Sequence, residues 1–298
     1  MPRTDDSLSG VLLCAGLGSR LRPLTFQRPK ALVPLHGIAL AEFGLRLLLE
    51  AGCRRIALNA CHLAGQLEDW TAALPARFPG VTFSCHRETE LLGTGGGLRA
   101  MLEQLPPGPV LVHNGDVIHD CPLKRLCDAD PNRARLLVQQ APCVVEVDQG
   151  RVLGFRDPLR STHGFAGVHW MGQAFRARLL DCRQADLIES WQEMQLEGWV
   201  IQAEHHTGLW EDLGRVGDYL PLHMRLGASE DYHALCRRLE LKPDWDDTLE
   251  VSASALESHP DWRTTVLWPG ARWTGASLES IITCQTPGSG TLKGEIVL

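Results

Sequence analysis

Between Cys14 and Lys30 the sequence reads CAGLGSRLRPLTFQRPK, a stretch that puts Gly16, Gly18, Ser19, Arg20 and Lys30 directly behind the apolar run Val11-Leu12-Leu13. Small residues let backbone N–H groups approach a phosphate chain, and Arg20 and Lys30 can neutralise it. This is not the dinucleotide fingerprint, because Leu21 stands where the third glycine of G-x-G-x-x-G belongs, and the Gly-Lys-Ser/Thr of a P-loop is absent. Two readings remain: a triphosphate cradle of another kind, or a tight turn carrying solvated cations. A second chemical feature lies at Val110-Leu111-Val112, which runs straight into His113-Asn114-Gly115-Asp116. An acid at a strand end can hold a hard cation or simply close a turn.

The surrounding pattern supplies elements to position these groups. Val11 to Cys14 reads as a buried strand, and Leu40 to Ala51 carries apolar residues at helical spacing before Gly52. A strand at Ile56–Leu58, a helix from His62 to Leu74, a strand at Val81–Cys85, a helix from Gly96 to Leu105 and a strand at Val110–Val112 follow. Alternation with short connections predicts a mainly parallel sheet covered on both faces, with ligands at the carboxyl ends of its strands. Further on, Val144–Val147 and Val152–Phe155 flank an Asp148-Gln149-Gly150 turn and predict a hairpin; Gly164–Trp170 predicts another strand. After about Gly227 the character changes to a polar helical stretch at Tyr232–Leu241, then VLWPGARWTGASLESIITC, where apolar and small residues recur at about six-residue steps. One or two coils of a left-handed β-helix, or two Gly-rich hairpins, would give that pattern.

Composition narrows the function classes. The chain has 298 residues, 44% hydrophobic and 22% charged, with a net charge of −7. That balance is ordinary for a globular protein and argues against a nucleic-acid or membrane-surface partner, which would want a basic face. The N-terminal residues lack an apolar signal region and no stretch is long enough for a membrane span, so the expected location is cytoplasmic. Ten cysteines occur without a C-x-x-C pair, which predicts buried thiols rather than a disulfide framework or a zinc site at Cys121 and Cys127.

Taken together, Gly16-x-Gly18-x-Arg20-x-x-Pro23-x-Thr25-x-x-x-Pro29-Lys30 resembles the signature of the sugar-1-phosphate nucleotidyltransferases. The likeness continues in Glu88-Thr89-Glu90-Leu91-Leu92-Gly93-Thr94-Gly95-Gly96-Gly97-Leu98, similar to the base loop of the mannose-1-phosphate guanylyltransferases, and in Val112–Ile118, which resembles the strand ending in a metal-binding aspartate. Trp210-Glu211-Asp212-Leu213-Gly214 is similar to the segment supplying the second such aspartate. The resemblance implies a Rossmann-like α/β fold, the nucleotide-diphospho-sugar transferase fold, over residues 1–227, with a short β-rich appendage at 228–298. It implies transfer of a nucleotidyl group from a nucleoside triphosphate to a sugar 1-phosphate, releasing pyrophosphate. In that reading Asp116 and Asp212 hold Mg²⁺, and Arg20 and Lys30 bind the β- and γ-phosphates. Glu90 accepts hydrogen bonds from a guanine edge, and Gly93, Thr94 and Gly95 border a flat base.

The pattern departs from the family on the sugar side. Where many relatives carry Glu-Lys-Pro, this sequence has Phe155-Arg156-Asp157-Pro158, so Arg156 or Arg160 is the expected phosphate ligand, with Asn114 and Gly167 on the same sugar side. Phe165-Ala166-Gly167-Val168 resembles the corresponding strand of the N-acetylmuramate-1-phosphate uridylyltransferases instead. Two other functions remain open: a nucleotide-sugar-binding regulatory subunit without turnover, and a glycosyltransferase using the Asp128-Ala129-Asp130 triplet. His113, His119 and His169, and Trp170 and Trp210, are expected chiefly as packed side chains. An open β-helix edge would favour a homodimer through the C-terminal segment.

Overall fold

A computed structural model describes residues 8–140 and 144–243, together with the backbone of seven two-residue strands beyond them. In chain order the elements are β1 (Ser9–Leu13), β2 (Pro34–Leu35), β3 (Ile38–Ala39), α1 (Leu40–Glu50), β4 (Arg55–Ala60), α2 (Ala64–Arg77), β5 (Thr82–Arg87), α3 (Gly93–Gln104), β6 (Val110–Asn114) and β7 (Val117–His119). Then come β8 (Arg133–Gln139), β9 (Val145–Asp148), β10 (Arg151–Phe155), β11 (Gly164–Met171), α4 (Gln173–Asp181), α5 (Leu187–Leu196), β12 (Val200–His205), β13 (Trp210–Asp212), α6 (Tyr219–Gly227) and α7 (Glu230–Arg238).

Nine strands form one sheet in the order β5-β4-β1-β6-β11-β8-β12-β10-β9. The first four run parallel, as the alternating pattern predicts, because helical crossovers separate them. β11 then pairs antiparallel with β6, and of the remaining strands only β8 and β12 run parallel. Val11, Val112 and Leu98 lie in one core on one face, with Leu12, Leu111 and Leu47 in a second core on the other. Strands buried on both faces explain why β1 and β6 read as continuous apolar runs rather than alternating ones.

The expected helical stretch after residue 227 is α7, and it does not stand apart. Tyr232, Leu235 and Cys236 are buried in the same core as Leu12, and α6 and α7 are pinned to the β2–β3 hairpin. The Tyr219 hydroxyl donates to the Pro34 carbonyl, the His36 amide donates to His223 Nε2 at 3.3 Å, and His36 Nδ1 lies 3.2 Å from the Tyr232 hydroxyl. The tandem strands beyond pair in parallel at a constant fifteen-residue offset, Val266 with Ile281, Trp273 with Gly288, Ser277 with Leu292 and Ile281 with Ile296. No helix among the described residues is long and apolar enough to cross a membrane. Each described cysteine is a free thiol.

Candidate active site

Four of the sequence-derived site residues share one electrostatic neighbourhood. Lys30 Nζ donates to Asp116 Oδ2 at 2.5 Å and lies 3.4 Å from Asp212 Oδ1. Asp116 occupies the turn between β6 and β7, and β13 pairs antiparallel with β7 so that Asp212 faces Val117. Burial pushes the Asp212 carboxyl above the ordinary carboxylate range, and the Asp116 charge pushes it further; Lys30 and Arg20 act in the opposite direction. The two acids therefore repel each other across a space that a cation relieves.

The loop that delivers the cations is folded on itself. Gly18 adopts a left-handed conformation with φ 58°, and a Cβ there would lie 2.7 Å from Thr25 Cγ2. Thr25 Oγ1 donates back to the Gly18 carbonyl at 2.9 Å, closing the loop, while Pro29 leads into the 3₁₀ turn Lys30–Leu32 that aims Lys30 inward. Gly16 borders open space, and Ser19 and Arg20 are exposed. Together these leave the backbone N–H groups and the Arg20 guanidinium available to an anion.

In the Glu88–Leu98 segment, Glu90 is exposed. Gly93 and Gly95 lie against the chain's own segment before α5: Cβ atoms there would sit 2.5 Å from the Ala185 carbonyl oxygen and 2.8 Å from that of Gln184. The Gly95 amide donates to the Ala185 carbonyl at 2.7 Å, and Thr94 Oγ1 accepts from the Leu187 amide at 3.2 Å. These small residues serve first to dock α3 on the start of α5.

On the opposite side, Gly167 in β11 has φ 76°, and a Cβ built there would lie 2.9 Å from Asn114 Nδ2, so these two positions adjoin. Trp210 Nε1 donates to the Ala166 carbonyl at 3.1 Å, tying β13 to the same strand. Arg156 is engaged elsewhere: its guanidinium donates to Asp186 Oδ2 at 2.6 Å, and Asp186 in turn caps α5 by accepting from the Ile188 amide. The side chain remains half exposed. Trp170 is packed in the core.

Buried histidines behind Asp116 form a directional chain. The Cys121 amide donates to His119 Nδ1 at 3.2 Å, so His119 Nε2 carries the proton and donates to His113 Nε2 at 3.0 Å; His113 Nδ1 then donates to the Asn114 carbonyl at 2.6 Å. Burial holds His113 down to about 4 and His119 well below the ordinary histidine value. Both are neutral scaffolding. The Asp128-Ala129-Asp130 triplet is likewise structural, with Asp128 bonded to Arg135 at 2.6 Å and Asp130 to Arg133 at 2.8 Å.

Among the described residues no group of three or more His, Cys, Asp or Glu side chains could hold a metal ion. Two carboxylates sharing one ammonium nevertheless fit a hard divalent cation that draws its remaining ligands from substrate phosphate and water.

Asn59 belongs to none of the sequence motifs, although an asparagine ending a run of buried strand residues is a signal, since its amide must find partners. Asn59 and Glu88 join the loop that follows β1 to the Glu88–Leu98 segment through buried hydrogen bonds.

A family model described as a MobA-like NTP transferase domain matches residues 10–192. The chain is 28% identical over 224 residues to a protein named mannose-1-phosphate guanylyltransferase catalytic subunit beta from Drosophila pseudoobscura pseudoobscura, covering 70% of this chain and 60% of that one. It is 40% identical over 110 residues to an N-acetylmuramate alpha-1-phosphate uridylyltransferase from Caulobacter vibrioides, covering 36% of this chain and 45% of that one. The matches thus span less than two thirds of either relative. In overall fold the chain is similar to a UDP-glucose pyrophosphorylase from Acinetobacter baumanii, with a TM-score of 0.65 and 19% identity over 79% of this chain and 100% of that one.

Proposed function

The chain belongs to the MobA-like NTP transferase domain family, and from that premise we propose that it is a sugar-1-phosphate nucleotidyltransferase. The observation that carries this reading is the meeting of Lys30 with both Asp116 and Asp212 within reach of Arg20's charge. A phosphate oxygen of the sugar 1-phosphate attacks the α-phosphorus of the nucleoside triphosphate in line, the α–β bridging P–O bond breaks, and pyrophosphate leaves. No protein nucleophile is needed, so the residues work by alignment and neutralisation.

Asp116 and Asp212 would hold Mg²⁺, which when bound supplies positive charge to the phosphate oxygens and draws the two substrates together. Lys30, released from the acids, and Arg20 bind the β- and γ-phosphates and stabilise the leaving pyrophosphate. The Gly16–Ser19 backbone cradles the same group, and Glu90 reads the base beside Gly93, Thr94 and Gly95. Asn114 and Gly167 border the sugar phosphate, and Arg156 reaches it with the guanidinium N–H groups that Asp186 does not occupy.

Guanosine triphosphate with mannose 1-phosphate is the favoured substrate pair, supported by the Glu88–Leu98 base loop and by the similarity to a named mannose-1-phosphate guanylyltransferase subunit. We read the seven two-residue strands beyond residue 243 as parts of a short β-helix, supported by their constant pairing offset, and as the surface through which two copies associate. The family and the site chemistry both favour a cytoplasmic enzyme. Incubation with each nucleoside triphosphate, a panel of sugar 1-phosphates and Mg²⁺ is expected to release pyrophosphate, and a chelator to stop it. Saturable nucleotide-sugar binding with no release from any pair would replace this reading with that of a regulatory subunit.

A further inference from the structure

Asn59 and Glu88 are 3% and 5% exposed, and both lie at the carboxyl end of the parallel β4–β5 pair. The Glu88 amide extends the ladder by donating to the Ala60 carbonyl at 2.7 Å. Asn59 Oδ1 accepts from the Cys14 amide at 2.7 Å and the Ala15 amide at 3.1 Å, the first two donors of the phosphate loop. Its Nδ2 donates to Glu88 Oε1 at 2.7 Å, while Glu88 Oε2 accepts from the Leu92 amide at 3.2 Å in the base loop. The polarity of this series admits one arrangement: a carboxylate only accepts, so the Asn59 amide must turn its nitrogen to Glu88 and its oxygen to the loop. α3 seals the pair, since a Cβ on Gly97 would lie 2.5 Å from Glu88 Oε1 and 2.8 Å from Asn59 Nδ2.

We propose that Asn59 and Glu88 are positioning residues that fix the base loop to the phosphate loop, so that seating the correct base sets the amides that hold the triphosphate. The inference rests on the nucleotidyltransferase reading for its kinetic consequence but not for its structural one. Buried, fully paired polar groups of this kind define a single geometry, because any partial loss leaves a donor or acceptor unmatched in a dry place.

Exchange of the two functional groups tests the relay. Asn59→Asp keeps the acceptor for Cys14 and Ala15 but sets two carboxylates against each other. Glu88→Gln can satisfy Asn59 or Leu92 but not both. In the double variant Asn59→Asp/Glu88→Gln every bond is restored, with the polarity of the bond between positions 59 and 88 alone reversed: the introduced glutamine donates to the introduced aspartate and accepts from the Leu92 amide, while that aspartate still accepts from Cys14 and Ala15.

Two readouts apply to the full chain. Amide hydrogen exchange should quicken at Cys14 and Ala15 by about tenfold in Glu88→Gln, although Glu88 touches neither, and return toward the native rate in the double variant. In steady-state assays each single variant should lose roughly ten- to a hundred-fold in kcat/KM for the nucleoside triphosphate, with blurred discrimination among bases. The KM for sugar 1-phosphate should be unchanged, and the double variant should recover most of the loss. Additive losses, or unaltered Cys14 and Ala15 exchange in Glu88→Gln, would overturn the relay. If the native protein transfers no nucleotide, the exchange experiment still decides the structural coupling while the activity reading fails separately.

Discussion

Asp212 faces Val117 across an antiparallel ladder, one residue beyond Asp116. The second acid therefore reaches the first through backbone pairing of β13 with β7, not through a long side chain. Their proximity is built into the fold before any ligand arrives, and it stores repulsion that Lys30 only partly relieves.

Asp212→Asn should separate catalysis from stability. Because the folded protein raises this acid, it binds the proton more tightly than the unfolded chain does; the cost of ionising it grows as pH rises from the ordinary value of 3.8. The variant should lose about a hundred-fold or more in kcat yet melt no lower than the parent at pH 7, with any gain vanishing below about pH 4. Pyrophosphate release and thermal melts at both pH values check this; a large drop in melting temperature at pH 7 would contradict it.

Gly18→Ala should damage the proposed phosphate loop in two ways. A left-handed alanine costs about 1–2 kcal/mol, and its methyl collides with Thr25. Nucleotide kcat/KM is expected to fall by about tenfold or more. Sugar-phosphate KM should stay near its original value, since Gly167 and Asn114, proposed to border the sugar phosphate, lie on β11 and β6 rather than in the Gly16–Lys30 loop. Equal losses for both substrates would argue against a local effect.

Acid should unfold this protein well above the carboxylate range. Burial holds His36 and His113 at about 4, and His169 and His223 at about 3, below the ordinary 6.5. The unfolded chain binds protons at these sites first, so stability is complete above about pH 6.5 and falls as pH drops through the window down to the folded values. Near pH 5 each histidine removes about 2 kcal/mol, and four together rival the whole stability of a domain. Urea midpoints at pH 8, 6 and 5 should descend accordingly. His169, whose two ring nitrogens lack hydrogen-bond partners among the described residues and whose ring packs 4.9 Å from Trp191, offers the cleanest comparison. His169→Phe should flatten the decline by about one histidine's share; an unchanged slope would remove His169 from the account.

A chain ending after Lys242 should remain folded and active but sediment as a monomer, whereas the intact chain should sediment as a dimer. Identical masses for the two forms would withdraw the association assigned to the tail.

How much of this was legible in the residues depended on periodicity. β1, α1, β4 and β6 announce themselves because strands buried on both faces and an amphipathic helix leave strong apolar patterns. The mixed half of the sheet was partly hidden: Arg133 to Gln139 reads RARLLVQ and Val200 to His205 reads VIQAEH, and their parallel pairing joins segments far apart in sequence. Lys30, Asp116 and Asp212 could be chosen from motif and resemblance, and they meet. Asn59 carried only the signal of a polar residue in a buried strand, because its partners are assembled only when β1, β4 and β5 lie side by side. Arg156 shows the converse limit, since nothing in its neighbours reveals that Asp186 engages it.

The attachment of α6 and α7 to the β2–β3 hairpin has a practical corollary. Tyr219 and His223 hold the turn just downstream of Lys30, so anyone trimming the protein to a minimal catalyst at Gly227 would keep every proposed catalytic side chain and yet remove Tyr232, which packs against that turn from behind. The shortest working version is set by its scaffolding, not by its last reactive group.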